Sequence, residues 1–319
     1  MVTKSKSPNP VMLAVVDGLG LREETCGNTL SCAYTPNLDY LRESCFYKEL
    51  YAHGPWVGLS SQTDMGNSEV GHNTIGAGRA YDQGAKLVAK AVKDKSIFLQ
   101  DTWKKLVDFV DDNSSLHFIG LLSDGNIHSH NEHLHAMLEQ AVEQGIKKIR
   151  IHTLLDGRDT PARSAMSYAN KLENKIEKLQ KLGADIKVAS GGGRMSITMD
   201  RYEADWQMVE RGWRAHVLGQ AQAYNSLRAA LEDMYKRFPE RSDQFLPEFV
   251  IEKDSKPVGT IEDGDGVVFF NFRGDRSIEI SRAFEEESFS HFDRIRVPKV
   301  FYCGMLEYDG DKHIPKHYL

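Results

Sequence analysis

The chain has 319 residues, 40% of them hydrophobic and 27% charged, with a formal net charge of -6. That length accommodates two domains or one large α/β domain, and the acidic balance argues against a general nucleic-acid binder, so any anionic ligand needs a local cluster of positive charge. Four cysteines (Cys26, Cys32, Cys45 and Cys303) lack metal-type spacing and are too few for a disulfide scaffold, Met1–Pro10 is no secretory signal, and the longest apolar runs are far too short to cross a bilayer; together they predict a cytoplasmic protein.

Val11–Val16 is a continuous aliphatic run ending at Asp17-Gly18, the pattern of a buried strand that delivers an aspartate to the carboxyl edge of a sheet. The alternative for Asp17 is a residue that merely caps the following loop. Thr35-Pro36 opens a short helix to Ser44, with proline at its first position, and Tyr47–Ala52 reads as a second strand. A Gly/Ser/Pro-containing loop from Gly54 to Asp64 leads into Met65–Arg79, which places Ser68 at a helix start with Glu69 in the first turn. Such a serine is either an N-cap or a hydroxyl positioned where backbone N–H groups and the helix dipole stabilise negative charge.

Amphipathic helices follow over Gln83–Lys93 and Thr102–Asp111, and then strand, loop and helix alternate. Strand Leu116–Leu122 ends in Ser123-Asp124-Gly125 and precedes helix His130–Gln144; strand Lys148–Leu154 ends in Asp156-Gly157-Arg158-Asp159 and precedes helix Arg163–Leu182. Strand Asp185–Ala189 ends in Ser190, the glycine triplet Gly191–Gly193 and Arg194. Helices are predicted at Asp200–Trp213, Asn225–Phe238 and Asp275–Phe284, a surface loop at Lys253–Gly266, and strands at Val267–Phe272 and Val297–Tyr302. The alternation implies a parallel sheet with crossover helices.

Arg158, Arg194, Arg201, Arg273 and Arg276 fall at strand ends or helix starts. Singly, each reads as a surface ion-pair residue; converging on one cleft, their guanidinium forks suit a small molecule carrying carboxylate and phosphate. In His128-Ser129-His130-Asn131-Glu132-His133-Leu134-His135, His130 and His133 lie one helical turn apart, which invites a zinc reading, but the tract lacks the His-Glu-x-x-His placement and nearby cysteines. The preferred reading has His128 end the loop and face a ligand while the others decorate a helix. The glycine triplet marks a flexible turn or a phosphate cradle.

Taken together, Val15-Val16-Asp17-Gly18, Met65–Arg79, Leu121–His130, Asp156–Thr160, Arg194–Tyr202, Phe270–Arg276 and Gly304–Gly310 resemble the 2,3-bisphosphoglycerate-independent phosphoglycerate mutases of the alkaline phosphatase superfamily. Met-Gly-Asn-Ser-Glu-Val-Gly-His, at Met65–His72, is the most specific of these stretches, and the Arg194-to-Arg201 spacing is similar to the longer plant and protozoan subtype. The resemblance implies an α/β fold: an incomplete, parallel-sheet, metal-binding phosphatase-type domain (1–82 with 297–319) and an inserted α/β phosphotransferase domain (83–296).

It further implies interconversion of 3-phosphoglycerate and 2-phosphoglycerate through a phosphoserine on Ser68. Asp17 and Ser68 would ligate Mn²⁺, with Mg²⁺ or Co²⁺ as substitutes and no 2,3-bisphosphoglycerate cofactor. His128, Arg158, Asp159, Arg194, Arg201, Arg273 and Arg276 would hold the substrate. The partner is then a small molecule, with no nucleic acid and no membrane, and the protein a monomer. Leu59-Ser60 and Asn126-Ile127 depart from the Leu-Pro and Gly-Val common in the family, and no Asp-His-Gly motif occurs. The chain is therefore expected to lack the family's C-terminal part, with its remaining metal ligands. A metal-dependent phosphomonoesterase of the same superfamily and a non-catalytic anion-binding fragment are the alternative readings.

Overall fold

The structure is a computed structural model and describes residues 10–16 and 19–319. The chain divides into two compact units, 1–51 and 52–319. In the first, α1 (Thr29–Cys32) is capped by the Asn28 side chain, which accepts from Ser31 N, and α2 (Pro36–Ser44) begins with the predicted proline. Neither helix contains a buried residue.

The strands expected at Val11–Val16 and Tyr47–Ala52 are not formed: both segments lack regular structure, and Val11 is 91% exposed. A strand is held by a neighbour's hydrogen-bond ladder, and among the described residues no strand pairs with either segment. Asp17 and Gly18 lie outside the described residues.

The second unit opens with α3 (Ser68–Ala77), α4 (Gly84–Lys93) and α5 (Asp101–Phe109). The alternation then follows: β1 (Leu116–Leu122), α6 (Asn131–Glu143), β2 (Lys148–Leu155), α7 (Ala165–Gln180), β3 (Asp185–Gly193), α8 (Trp206–His216), β4 (Gln222–Tyr224) and α9 (Leu227–Arg237). It closes with β5 (Phe249–Lys253), β6 (Lys256–Pro257), β7 (Gly266–Phe269), α10 (Ile278–Glu285) and β8 (Phe301–Gly304). The sheet order is β4-β5-β3-β2-β1-β7-β8, with β6 paired to β5 outside this path. From β3 to β8 every pair is parallel, whereas β5 runs antiparallel to β3. The expected α/β class with a mostly parallel sheet is what forms.

Every residue of β1 is buried because the sheet is covered on both faces. Phe118 joins Trp103, Leu106, Met137, Leu138 and Leu172 in one core cluster, which draws on α5, α6 and α7. Its neighbour Ile119 points the other way, with Val209 and Trp213 of α8 and Ile280 and Ala283 of α10. Burying each such side chain contributes about 1.5–3 kcal/mol, so the sheet is anchored from both sides.

Several element boundaries differ from expectation for local reasons. Gly191–Gly193 belong to β3 and form neither a turn nor an open cradle. A Cβ on Gly193 would stand 2.4 Å from the Gln244 carbonyl oxygen, so the glycines permit close packing of backbone on backbone. Helix α8 starts at Trp206 because Asp205 caps it, its side chain accepting from Gln207 N. The preceding segment contains left-handed Thr198, Tyr202 and Glu203, which no helix accommodates. Pro298 lacks an N–H for a ladder, and β8 begins only at Phe301. A 3₁₀ turn at Gly274–Arg276 separates β7 from α10, shortening the helix expected from Asp275. The short β4 and β5 lie where the sequence pattern predicts no element, and β6 lies within the loop expected at Lys253–Gly266.

Candidate functional site

Parallel strands place their carboxyl ends on one edge, and the loops leaving β1, β2, β3 and β7 carry His128, Arg158 with Asp159, Arg194, and Arg273 with Arg276. This is the edge at which open α/β sheets bind ligands. Asn271 fixes the β7 exit by accepting from Leu121 N at 2.9 Å, and Phe272 N donates to the His128 carbonyl at 2.7 Å.

Ser68 is not the cap of α3. Asn67 fills that role, its side chain accepting from Glu69 N and Val70 N. The Ser68 hydroxyl is thereby left in the first helical turn, where Arg273 Nη2 donates to its Oγ at 3.1 Å. Arg273 Nε lies 3.0 Å from a Glu69 carboxylate oxygen and 3.0 Å from Asp275 Oδ1. Burial pushes the Glu69 carboxyl up, against the pull of the Arg273 charge. Ser68, Glu69, Tyr202, Arg273, Asp275 and Tyr308 line a pocket of about 440 Å³.

Arg194 is almost fully buried, with Nη1 donating to Asp156 Oδ1 at 2.9 Å and also to Asp159. Asp156 is satisfied in turn by the Ser123 hydroxyl and by the backbone N–H groups of Arg158 and Asp159. Buried Arg276 donates to the Met199 carbonyl at 2.5 Å. Burial, then the nearby charges of Arg194 and Arg201, pull its ionisation down to about 10.

His128 is 3% exposed and its Nδ1 has no hydrogen-bond partner. Burial first, then Arg194, Arg273, Arg276 and Arg158, hold it well below the usual histidine range, so it is neutral at pH 7. Arg201 is partly exposed, packs over the Tyr202 ring and lies 3.6 Å from Asp275. The structure thus gathers His128, Arg158, Asp159, Arg194, Arg201, Arg273 and Arg276 on one edge, with Ser68 hydrogen-bonded to one member of the set.

The zinc reading of the histidine tract finds no support in the side-chain geometry. His130 caps α6 through its ring nitrogen, and His133 packs edge-on against Phe272. Among the described residues no group of three or more His, Cys, Asp and Glu side chains is placed to hold a metal ion.

Sequence reasoning overlooked two carboxylates, Asp156 beneath Arg194 and Asp275 between two arginines. Their signal is an acidic residue in the same strand-end loop as the arginine it accompanies.

Fold and edge together define the class: a mostly parallel α/β domain with a serine hydroxyl facing a buried arginine at the carboxyl edge of the sheet. Residues 88–310 match the sequence model of the family described as BPG-independent PGAM N-terminus (iPGM_N), and the chain belongs to this family. It is similar to a probable 2,3-bisphosphoglycerate-independent phosphoglycerate mutase of Leptospira interrogans, 49% identical over 97% of this chain and 57% of that protein. The 2,3-bisphosphoglycerate-independent phosphoglycerate mutase of Trypanosoma brucei brucei is 48% identical over the same shares. A solved structure of Leishmania mexicana phosphoglycerate mutase at low cobalt concentration superposes with a TM-score of 0.87 at 49% identity, over 90% of this chain and 53% of that one. The chain spans little more than half the length of these relatives.

Proposed function

We propose that the chain carries the phosphoryl-accepting serine and the substrate-holding arginines of a cofactor-independent phosphoglycerate mutase, which interconverts 3-phosphoglycerate and 2-phosphoglycerate. The observation that carries the reading is the hydrogen bond from Arg273 to Ser68 at the amino end of α3, in a pocket that both residues line. A guanidinium beside the serine oxygen favours its alkoxide and supplies a fork to the incoming phosphoryl oxygens. Arg158, Arg194, Arg201 and Arg276 hold the glycerate carboxylate and hydroxyls so that one hydroxyl, then the other, lies in line with the phosphoserine. Neutral His128, with an open ring nitrogen, accepts or donates a proton at the glycerate hydroxyl.

Mn²⁺ at Asp17 and Ser68, replaceable by Mg²⁺ or Co²⁺, belongs to the same reading. In the family's chemistry the ion would stabilise the serine alkoxide. The described residues do not by themselves make a divalent-cation site, since a guanidinium faces Ser68 Oγ and Asp17 lies outside them.

The division into a phosphatase-type part (1–82 with 297–319) and an inserted part (83–296) is likewise proposed. A family match over residues 88–310 begins near its first boundary but runs past its second, and β8 pairs with β7 in the sheet of the inserted part. So are a monomeric state and a cytoplasmic location; no helix among the described residues is long and apolar enough to cross a membrane.

The test is incubation with 3-phosphoglycerate and Mn²⁺, followed by enolase-coupled detection of 2-phosphoglycerate and mass analysis of the peptide containing Ser68. Phosphate on Ser68 together with 2-phosphoglycerate supports the mutase. Release of inorganic phosphate without isomerisation sinks it in favour of a phosphomonoesterase.

A further inference from the structure

Two carboxylates in the arginine cluster are held in opposite ways. Asp156 receives hydrogen bonds from a hydroxyl, two backbone N–H groups and Arg194, and is a fixed part of the frame. Asp275 sits in the turn between Arg273 and Arg276, with its side chain 14% exposed. Its Oδ1 lies 3.0 Å from Arg273 Nε and 3.8 Å from His128 Nδ1, and its Oδ2 lies 3.6 Å from Arg201 Nη1. Neither oxygen receives a directed hydrogen bond.

The backbone beneath it is fixed. A Cβ on Gly274 would stand 2.8 Å from the Tyr308 carbonyl oxygen, Ser277 N donates to the Gly274 carbonyl, and Ser277 Oγ donates to the Arg273 carbonyl. Asp275 is therefore a charge placed among cations by a rigid turn but bound by none of them along a donor axis.

A buried carboxylate without hydrogen bonds is costly unless surrounding charge compensates it. Here the compensation is mutual. Among the described residues Asp275 is the carboxylate at ion-pair distance from Arg201, while Arg276 has none within that distance. A ligand phosphate or carboxylate that takes directed, bidentate bonds from the same guanidinium groups satisfies them better than Asp275 does.

We infer that Asp275 is the internal counter-ion of the arginine cluster: a positioning residue that keeps Arg201, Arg273 and His128 facing the site and competes with the anionic group of an incoming ligand. The inference rests on the anion-binding part of the proposed function.

It is tested by thermal melts of the wild-type chain, Asp275→Asn and Asp275→Glu, titrated with inorganic phosphate and with 3-phosphoglycerate at constant ionic strength. Without ligand, Asp275→Asn is expected to melt several degrees lower, because like charges lose their partner. It should bind phosphate roughly tenfold more tightly, so that its melting temperature rises more steeply with phosphate and approaches the wild-type value. Asp275→Glu, which keeps the charge, should bind phosphate within about threefold of wild type.

Wild-type binding of phosphate with Asp275→Asn binding equally or more weakly overturns the counter-ion role while leaving the proposed function intact. Phosphate binding strengthened in Asp275→Asn, with no preference for 3-phosphoglycerate in any of the three proteins, supports the counter-ion role and sinks the proposed substrate. Binding of neither anion by any of the three overturns both. Should Asp275→Asn not fold, its recovery by refolding in phosphate supports the inference, and failure to refold there while Asp275→Glu folds overturns it.

Discussion

Arg273 and Ser68 are 205 residues apart in the chain and 3.1 Å apart in space, the guanidinium donating to the hydroxyl. The contact exists because Asn67 relieves Ser68 of capping duty, so the serine oxygen is free to face the carboxyl edge of the sheet.

Under the proposed function, that division of labour predicts that phosphoryl acceptance and stability separate at adjacent residues. Ser68→Ala is expected to abolish phosphoserine formation, seen by mass analysis of its peptide, with a melting temperature within a degree or two of wild type. Asn67→Ala should cost on the order of 1 kcal/mol through loss of the cap. The reverse pattern, a stability loss in Ser68→Ala and none in Asn67→Ala, would show the structural assignment of the two to be mistaken.

Arg273→Lys keeps the charge but loses the planar fork that reaches Ser68, Glu69 and Asp275 together. Loss of a charged hydrogen bond of about 1.5–3 kcal/mol corresponds to roughly a ten- to hundredfold weaker hold on phosphoglycerate. Calorimetric titration checks this, and unchanged affinity would remove Arg273 from the ligand set.

Gly193→Ala tests whether the glycine triplet is packing or cradle. The added Cβ would meet the Gln244 carbonyl carbon and oxygen at 2.5 and 2.4 Å. Overpacking of this kind costs about 1–3 kcal/mol and displaces the following Arg194, so both stability and phosphate affinity should fall. A variant that melts normally and loses only phosphate binding would instead favour a backbone cradle.

Acid should unfold the second unit through its buried histidines. Asp265 accepts from His117 Nε2, His117 Nδ1 meets His152 Nε2, His152 Nδ1 meets Ser190 Oγ, and Ser190 Oγ meets His216 Nδ1, within a chain that ends at Thr198. Burial raises the Asp265 carboxyl, but its bond from His117 holds it below the usual value, so the carboxylate accepts and the ring protons take one direction along the chain. Burial holds His117 and His152 below the usual value for histidine and takes His216 to about 3, while His133 on α6 falls to about 4.

The unfolded chain takes up these protons near pH 6.5 and the folded chain does not. Stability is thus fully present above about pH 6.5 and is lost as pH falls toward 4, by up to about 1.4 kcal/mol per pH unit for each histidine. Denaturant melts between pH 7.5 and 4.5 measure the slope, and His216→Asn should flatten it. A slope unchanged by that substitution would mean that His216 already carries a proton in the fold.

Local sequence pattern determined the class of fold and most of the charged residues that gather at the carboxyl edge of the sheet. Aliphatic runs ending in Asp, Gly and Arg, each followed by an amphipathic helix, leave little choice but a parallel sheet with its chemistry on one edge, and the three longest strands, β1, β2 and β3, with helices α6, α7 and α9, lie close to where the pattern puts them. The same pattern fails at Val11–Val16 and Tyr47–Ala52, because an apolar run specifies burial but not the neighbour whose ladder would hold it extended. It also fails at Gly191–Gly193, where flexibility is legible in the residues but the facing Gln244 carbonyl is not.

Only the tertiary structure decided what each polar group does. Asn67 rather than Ser68 satisfies the helix end, and Asp156 locks Arg194 while Asp275 stands among arginines with no directed bond. The buried histidines form a chain across three strands and a helix. These outcomes depend on donors and acceptors brought together from distant parts of the sequence, and hydrogen bonding is settled by distance and angle in space.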